Sequence, residues 1–336
     1  MKTTIVITTI NEPTEAVRAF AKLPDHHLVV VGDKKTPKSW RWENTTFLAV
    51  DDPSTAALSL SRALPFNHYC RKMLGYLHAV RSKSDAIVDT DDDNIPKGDQ
   101  AGDKAGWSFP PFDGGFELIS GAAGFINIYR YYSDMHIWPR GLPLRLINDK
   151  TALRPATAAA GLQVGVWQGL ADEDPDVDAI YRLTSDVPCN FRDRAPLVLD
   201  RGVATPYNSQ NTLYRRELFP LLYLPATVTF RFTDILRSLV AQPIMWAHGY
   251  RLGFTNATVV QKRNPHDYFK DFVSEIPMYE HGEKVIGLVQ DAIAPSRTVA
   301  ENLRTAYGVL QTNGIVKDDE LRILDCWLND LSALGG

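Results

Sequence analysis

Three consecutive aspartates, Asp91-Asp92-Asp93, follow the apolar residues Ala86-Ile87-Val88 and lead into Asn94-Ile95-Pro96. Like charges a few ångströms apart repel and raise one another's pKa unless a cation offsets them. Hard cations such as Mg2+ or Mn2+ favour oxygen ligands and are commonly completed by substrate phosphates, so carboxylates at a strand end suit a diphosphate leaving group. Strand alternation would project Asp91 and Asp93 to one side as metal ligands and Asp92 to the other, toward those ligands or a sugar hydroxyl. A solvated acidic turn is the competing reading of so short a motif, and its position after a predicted strand is what favours the metal.

The elements that must hold this triplet alternate short apolar runs, at residues 4–9, 27–31 and 46–50, with a helical stretch at 15–22. That is the pattern of βαβ units and a mainly parallel sheet, with polar residues at the run ends where open α/β sheets place ligands. After Pro65, apolar residues recur at helical spacing through Val80, and this helix feeds the strand at 86–88. Residues 97–115, rich in Gly, Asp and Pro, read as a long functional loop. Strand-like residues return at 124–129, an acidic stretch at 172–178 follows an apolar one at 162–170, and Arg231-Phe232-Thr233-Asp234 marks a helix start. Helical periodicity then covers 285–293, 299–310 and 318–331. The expected division is a main domain over 1–282 and a helical extension over 283–336.

Apolar residues make up 44% and charged residues 23% of the 336, values at which folding is the default. Lys and Arg number 36 and Asp and Glu 40, a net charge of −4, so nucleic acid is not an expected partner. Ile5-Val6-Ile7 is too brief for a signal-peptide core or a membrane span, so a cytoplasmic location is expected. Cys70, Cys189 and Cys326 are odd in number and widely spaced, and read as reduced thiols.

The block Tyr69-Cys70-Arg71-Lys72-Met73-Leu74-Gly75-Tyr76-Leu77, taken with Asp89-Thr90-Asp91-Asp92-Asp93-Asn94, resembles the plant reversibly glycosylated polypeptides, which are UDP-arabinopyranose mutases. Val31-Gly32-Asp33-Lys34-Lys35-Thr36-Pro37, Leu64-Pro65-Phe66-Asn67 and Asp174-Pro175-Asp176-Val177-Asp178-Ala179-Ile180 are more closely similar to the STELLO-type glycosyltransferases. The likeness spans about residues 3 to 270. It implies an α/β fold of the GT-A type, a Rossmann-like mixed sheet flanked by helices with a C-terminal helical extension, and a UDP-sugar donor with Mn2+ or Mg2+ at the triplet.

By the same resemblance Thr8, Thr9 and Asn11 line the nucleoside pocket, Asp33 lies near the uracil edge with Lys34 beside it, and Asp92 joins the donor contacts. Arg71 faces either the aspartates or the diphosphate. Asp234 matches a late acidic motif suited to a general base, although a carboxylate favouring a helix N-terminus reads equally well. His266 is a candidate third metal ligand after Asp91 and Asp93, against the reading of a surface histidine. Arg263 and Lys262 would offset the departing diphosphate's charge, if they are not simply solvated. No role is implied beyond about His281. The segment from Arg140 to Arg154 matches the mutase pattern poorly, leaving that group's self-glycosylated arginine without a counterpart. Plant STELLO-type proteins carry a membrane anchor and none is legible here, so location is not carried over, and peripheral membrane association stays open.

Asp172 or Asp174 could meet an acceptor or simply cap a turn, and Trp167 and Trp246 could stack on a sugar or belong to the core. The resulting expectation is a glycosyltransferase that moves a sugar, furanose forms included, from a UDP-sugar to a carbohydrate or lipid-linked glycan acceptor in surface polysaccharide synthesis. The alternatives are a UDP-sugar pyranose/furanose mutase and a non-catalytic nucleotide-sugar-binding scaffold.

Overall fold

The computed structural model describes residues 1–98, 106–263 and 266–335. Its first half runs β1 (Thr3–Thr8), α1 (Glu15–Phe20), β2 (His26–Val31), β3 (Thr45–Leu48), α2 (Pro53–Ala56), α3 (Ser59–Ala63), α4 (Met73–Arg81) and β4 (Ala86–Thr90). These four strands are parallel and ordered β3-β2-β1-β4. Ile5, Val6 and Ile7 are wholly buried, as a parallel strand covered on both faces requires. Gly75 lets α4 lie close on the sheet, since a Cβ there would come within 2.5 Å of Val6 and 2.7 Å of Val31.

Then follow β5 (Asn94–Pro96), β6 (Asp113–Ile119), β7 (Gly124–Phe125), β8 (Ala156–Glu173), α5 (Ala179–Thr184), β9 (Leu197–Leu199), β10 (Val203–Ala204), β11 (Asn211–Arg215), α6 (Thr233–Ala247) and β12 (Arg251–Gln261). Strand β11 pairs antiparallel with both β4 and β8, and the sheet continues through β6, β9, β12 and β5 to ten strands, while β7 and β10 form a separate pair. The result is the mixed, helix-flanked α/β sheet expected, and it is consistent with a GT-A-like fold.

Local departures from the sequence reading have physical causes. The strand expected at 124–129 stops after Phe125, because the Asn127 side chain accepts from the Tyr129 amide and starts a 3-10 turn at Ile128–Tyr131. The loop reading of 97–115 gives way at Asp113, where β6 begins, and residues 99–105 lie outside the described residues. The helix expected from residue 285 starts at Tyr268, capped by Asp267, so α7 (Tyr268–Ala292) runs unbroken through residues 282 and 283. It packs on α6, and α8 (Val299–Thr312) and α9 (Glu320–Ala333) complete that layer. Trp167 and Trp246 are buried, which is the core reading of both. Among the described residues, no helix is long and apolar enough to cross a membrane.

Candidate functional site

The carboxyl ends of β1, β2 and β4 open into a cleft of about 400 Å3, where Thr8, Thr9, Asn11 and Asp33 meet the triplet Asp91-Asp92-Asp93. Asp234, Arg263 and His266 line the opposite side, so ten of the residues singled out from the sequence share one cavity. Lys34 does not line it. Its ammonium lies over the Phe66 ring, 3.7 Å from the centroid, and Lys35 takes the place on the wall.

The alternation argument for the triplet fails, because β4 ends at Thr90 and Asp92 and Asp93 sit in a turn. The three carboxylates therefore take different partners. Asp91 Oδ1 accepts from Tyr69 Oη at 2.7 Å and from Lys72 Nζ at 2.9 Å. Asp92 Oδ2 accepts from Thr9 Oγ1 at 2.5 Å and Asn11 Nδ2 at 3.0 Å, which ties the β4 end to the β1 end. Asp93 Oδ2 accepts from Gln261 Nε2 at 3.0 Å. Burial, and then the Asp91 charge, push the Asp93 carboxyl up to about 7.

The crowding of negative charge is relieved in part from within the protein. Lys72 is wholly buried beneath the triplet, 2.6 Å from Asp89 and 2.9 Å from Asp91, and Arg237 reaches the other Asp89 oxygen at 2.8 Å. Burial alone would push the Lys72 ammonium down, yet Asp89 and Asp91 outweigh it and hold it above its ordinary value. Arg71 faces neither aspartates nor cleft: it is buried, 3.7 Å from Asp33, with its guanidinium over Phe66. One step along the 3-10 turn Tyr69–Lys72 separates the two cations, and the turn's geometry directs the second one inward.

On the far wall Arg140 grips two carboxylates at once. Its Nε and Nη2 donate to Asp176 at 2.8 Å each, and Nη1 and Nη2 donate to Asp234 at 3.0 and 2.9 Å. Burial works against the Arg140 charge, but the two aspartates hold it well above its usual range. Each Asp234 oxygen accepts a second bond, from the amides of Ile235 and Ser209. Asp234 also stands in the first turn of α6, so the structure shows the helix-terminus reading directly. His266 Nδ1 is 3.0 Å from Asp271 Oδ2, whose partner Arg263 lies 3.4 Å away with its buried Nε unmatched. Among the described residues the Lys262 ammonium pairs with Glu15, at 3.7 Å between exposed side chains. Asp172 is paired with Lys97 and Asp174 with Arg182, and neither lines the cleft.

A family model described as STELLO glycosyltransferases matches residues 231–336. Two Arabidopsis thaliana proteins, described as "Probable glycosyltransferase STELLO1" and "Probable glycosyltransferase STELLO2", are each 25% identical to this chain over 98% of its length. The resemblance is to the STELLO glycosyltransferases. The chain spans only 44% and 45% of those two relatives. A solved structure described as the crystal structure of a mycobacterial protein is similar at a TM-score of 0.37 and 10% identity, covering 94% of this chain and 76% of that one.

The STELLO match extends the likeness beyond residue 270, where the sequence reading ended it, to the C-terminal helices. It also contains Arg231, Asp234, Gln261, Arg263 and His266, which line part of the cleft. Among the cleft residues the sequence reading missed are Tyr69, Arg140, Asp176, Asn208, Gln210 and Phe230. Asp176 stood within a quoted motif and Tyr69 within another; the remaining four carried no local signal.

Proposed function

We propose that this chain is a glycosyltransferase that moves a glycosyl group from a UDP-sugar to a carbohydrate or lipid-linked glycan acceptor with the help of Mn2+ or Mg2+. The observation that carries the reading is the Asp91/Asp93 pair, set in the cleft at the carboxyl ends of parallel strands and faced by the underbonded Arg263. Among the described residues, Asp91 Oδ2 has no hydrogen-bond partner and Asp93 is held only by neutral amides, Gln261 and Asn94. No group of three or more His, Cys, Asp or Glu side chains suited to a metal occurs among the described residues. Two oxygen donors nevertheless fit a Mg2+- or Mn2+-type cation, which commonly takes one or two carboxylates and completes its shell with phosphate and water. In this reading His266, like Arg263 a partner of Asp271, supports that wall and is not a metal ligand.

When bound, the cation would offset the charge that develops on the departing diphosphate. The protein's own contributions are to position and to polarise. Thr9 and Asn11 hold Asp92, joining the nucleoside side of the cleft to the triplet. Arg263 supplies positive charge where a leaving phosphate gathers negative charge. Asp234 holds Arg140 at the acceptor wall, and service as a general base would require it to surrender one of its four accepted bonds. A cytoplasmic location and a role in surface polysaccharide synthesis belong to the same proposal.

The test is thermal melting of the protein and of Asp93→Asn with UDP, with and without Mn2+, since a ligand of the native state raises its melting point. A Mn2+-dependent rise with UDP that Asp93→Asn abolishes is expected; the same rise in both proteins refutes the metal assignment. Incubation with UDP-sugars followed by mass spectrometry of products and protein separates the alternatives. Transfer to an acceptor supports the proposal, an arginine adduct with ring interconversion supports the mutase, and binding without turnover supports the scaffold.

A further inference from the structure

Phe230 is out of keeping with its neighbours. In the 3-10 turn Phe230–Phe232, Arg231 folds inward to Glu275 at 2.8 Å and Phe232 is fully buried, yet Phe230 is 56% exposed while lining the cleft. The turn is anchored on both sides, by Thr229 Oγ1 donating to the Ser274 carbonyl at 2.5 Å and by the Arg231 amide donating to Ser274 Oγ at 3.3 Å. Its ring meets that of Tyr69 edge to face, with centroids 5.7 Å apart and planes at 76°. Tyr69 in turn donates to Asp91, so Phe230 stands two side chains away from the triplet. An edge-to-face contact leaves most of the ring area uncovered, and exposed aromatic surface in a cleft is costly unless something stacks on it.

The surroundings select the kind of occupant. Asn208, Gln210, Asp234 and Gln261 line the same side, a polar set around one apolar plate. Among the described residues Asn208 Nδ2 has no acceptor, so a hydrogen-bond donor is open toward the cleft. An apolar plate beside an open amide N–H matches a pyranose ring, which has one face of C–H bonds and an equator of hydroxyls. Residues 208–210 lead into β11, which lies beyond β4 from β1 and β2, so this corner is across the triplet from the side where Thr8, Thr9 and Asp33 stand.

We infer that Phe230 is the stacking platform for a pyranosyl unit of the acceptor, with Asn208 as a hydroxyl partner. The inference rests on the glycosyltransferase reading, and it names a positioning residue that neither the sequence motifs nor the family match singles out.

Saturation-transfer NMR tests it with methyl glucopyranoside, methyl galactopyranoside and methyl mannopyranoside as probes, each in the presence of UDP and Mn2+. Ring C–H protons of at least one probe should receive saturation, and Phe230→Ala should weaken its binding by about three- to tenfold, the worth of one aromatic contact. Phe230→Trp should restore binding, and neither variant should change UDP affinity or the melting temperature of the free protein. Absence of saturation for every probe with the unaltered protein overturns the inference, as does unchanged binding by Phe230→Ala. A loss of UDP affinity in Phe230→Ala overturns it too, by moving the residue to the donor side. Failure of the unaltered protein to bind UDP at all is the separate result that sinks the glycosyltransferase reading.

Discussion

Replacing Lys72 with Met removes a charge that the triplet depends on and keeps most of the side-chain volume. The ammonium is wholly buried and sits 2.6 Å from Asp89, 2.9 Å from Asp91, 2.5 Å from the Thr90 carbonyl and 3.0 Å from Tyr69 Oη. Breaking a buried pair by deleting one partner typically costs about 3–5 kcal/mol, because the other charge is left without compensation. Asp89 keeps Arg237 at 2.8 Å and Asp91 keeps the Tyr69 hydroxyl, so a loss near the low end, about 3 kcal/mol, is expected. At roughly 2 °C per kcal/mol for a chain this long, the melting temperature should fall by about 6 °C. Urea unfolding followed by tryptophan fluorescence measures the loss directly. The double variant Lys72→Met/Asp91→Asn should recover about 1–2 kcal/mol, since the carboxylate that needed the cation is gone. A loss below about 1 kcal/mol in the single variant, or strict additivity in the double, would refute the claim that Lys72 carries the triplet's compensation.

Glu320→Ala should cost about 3 kcal/mol, since the buried carboxylate accepts from the amides of Ala226 and Thr227 at 3.0 and 2.8 Å and from the Thr227 and Tyr223 hydroxyls, and only Tyr223 keeps another acceptor, the residue 320 carbonyl at 3.4 Å. Hydrogen exchange should show α9 losing protection before the sheet does, and uniform loss would count against this latch. Burial pushes Asp178 up to about 6, above its unfolded value of 3.8, although the Tyr181 amide and Trp138 Nε1 both donate to it. The folded state therefore holds this proton more tightly, and stability falls as pH rises from about 4 through 6, by roughly 2–3 kcal/mol in all. Comparison of unfolding curves over that range should show Asp178→Asn missing this part of the slope, and parallel slopes would refute it.

The periodicities at residues 4–9, 27–31 and 86–88 were enough to place three parallel strands, because a strand buried on both faces must be apolar along its length. The polar residues at their ends then follow from topology: parallel neighbours bring Thr9, Asp33 and Asp91 to one edge, and all three line the cleft. Strand β8 was half legible at most. Its 18 residues include the run Ala158-Ala159-Ala160-Gly161, which has no strong β former, and it is held by pairing to β6, β11 and β12. Such pairing depends on partners far away in the chain and leaves no local pattern.

The same division separates the two walls of the site. The acidic triplet and the side of the cleft with Thr8, Thr9, Asn11 and Asp33 were determined by the chain itself, since each lies within a few residues of an apolar run whose direction sets where it ends. Which cation meets the triplet was decided only by tertiary structure. Arg71 and Lys72 are adjacent and alike in charge, and the turn of Tyr69–Lys72 against β4 sends one to Asp33 and the other to Asp89 and Asp91. Arg140 is the extreme case, drawn between Asp176 and Asp234, partners 36 and 94 residues away. A buried guanidinium needs compensating negative charge, and the convergence of two carboxylates over such separations is a property of the folded chain.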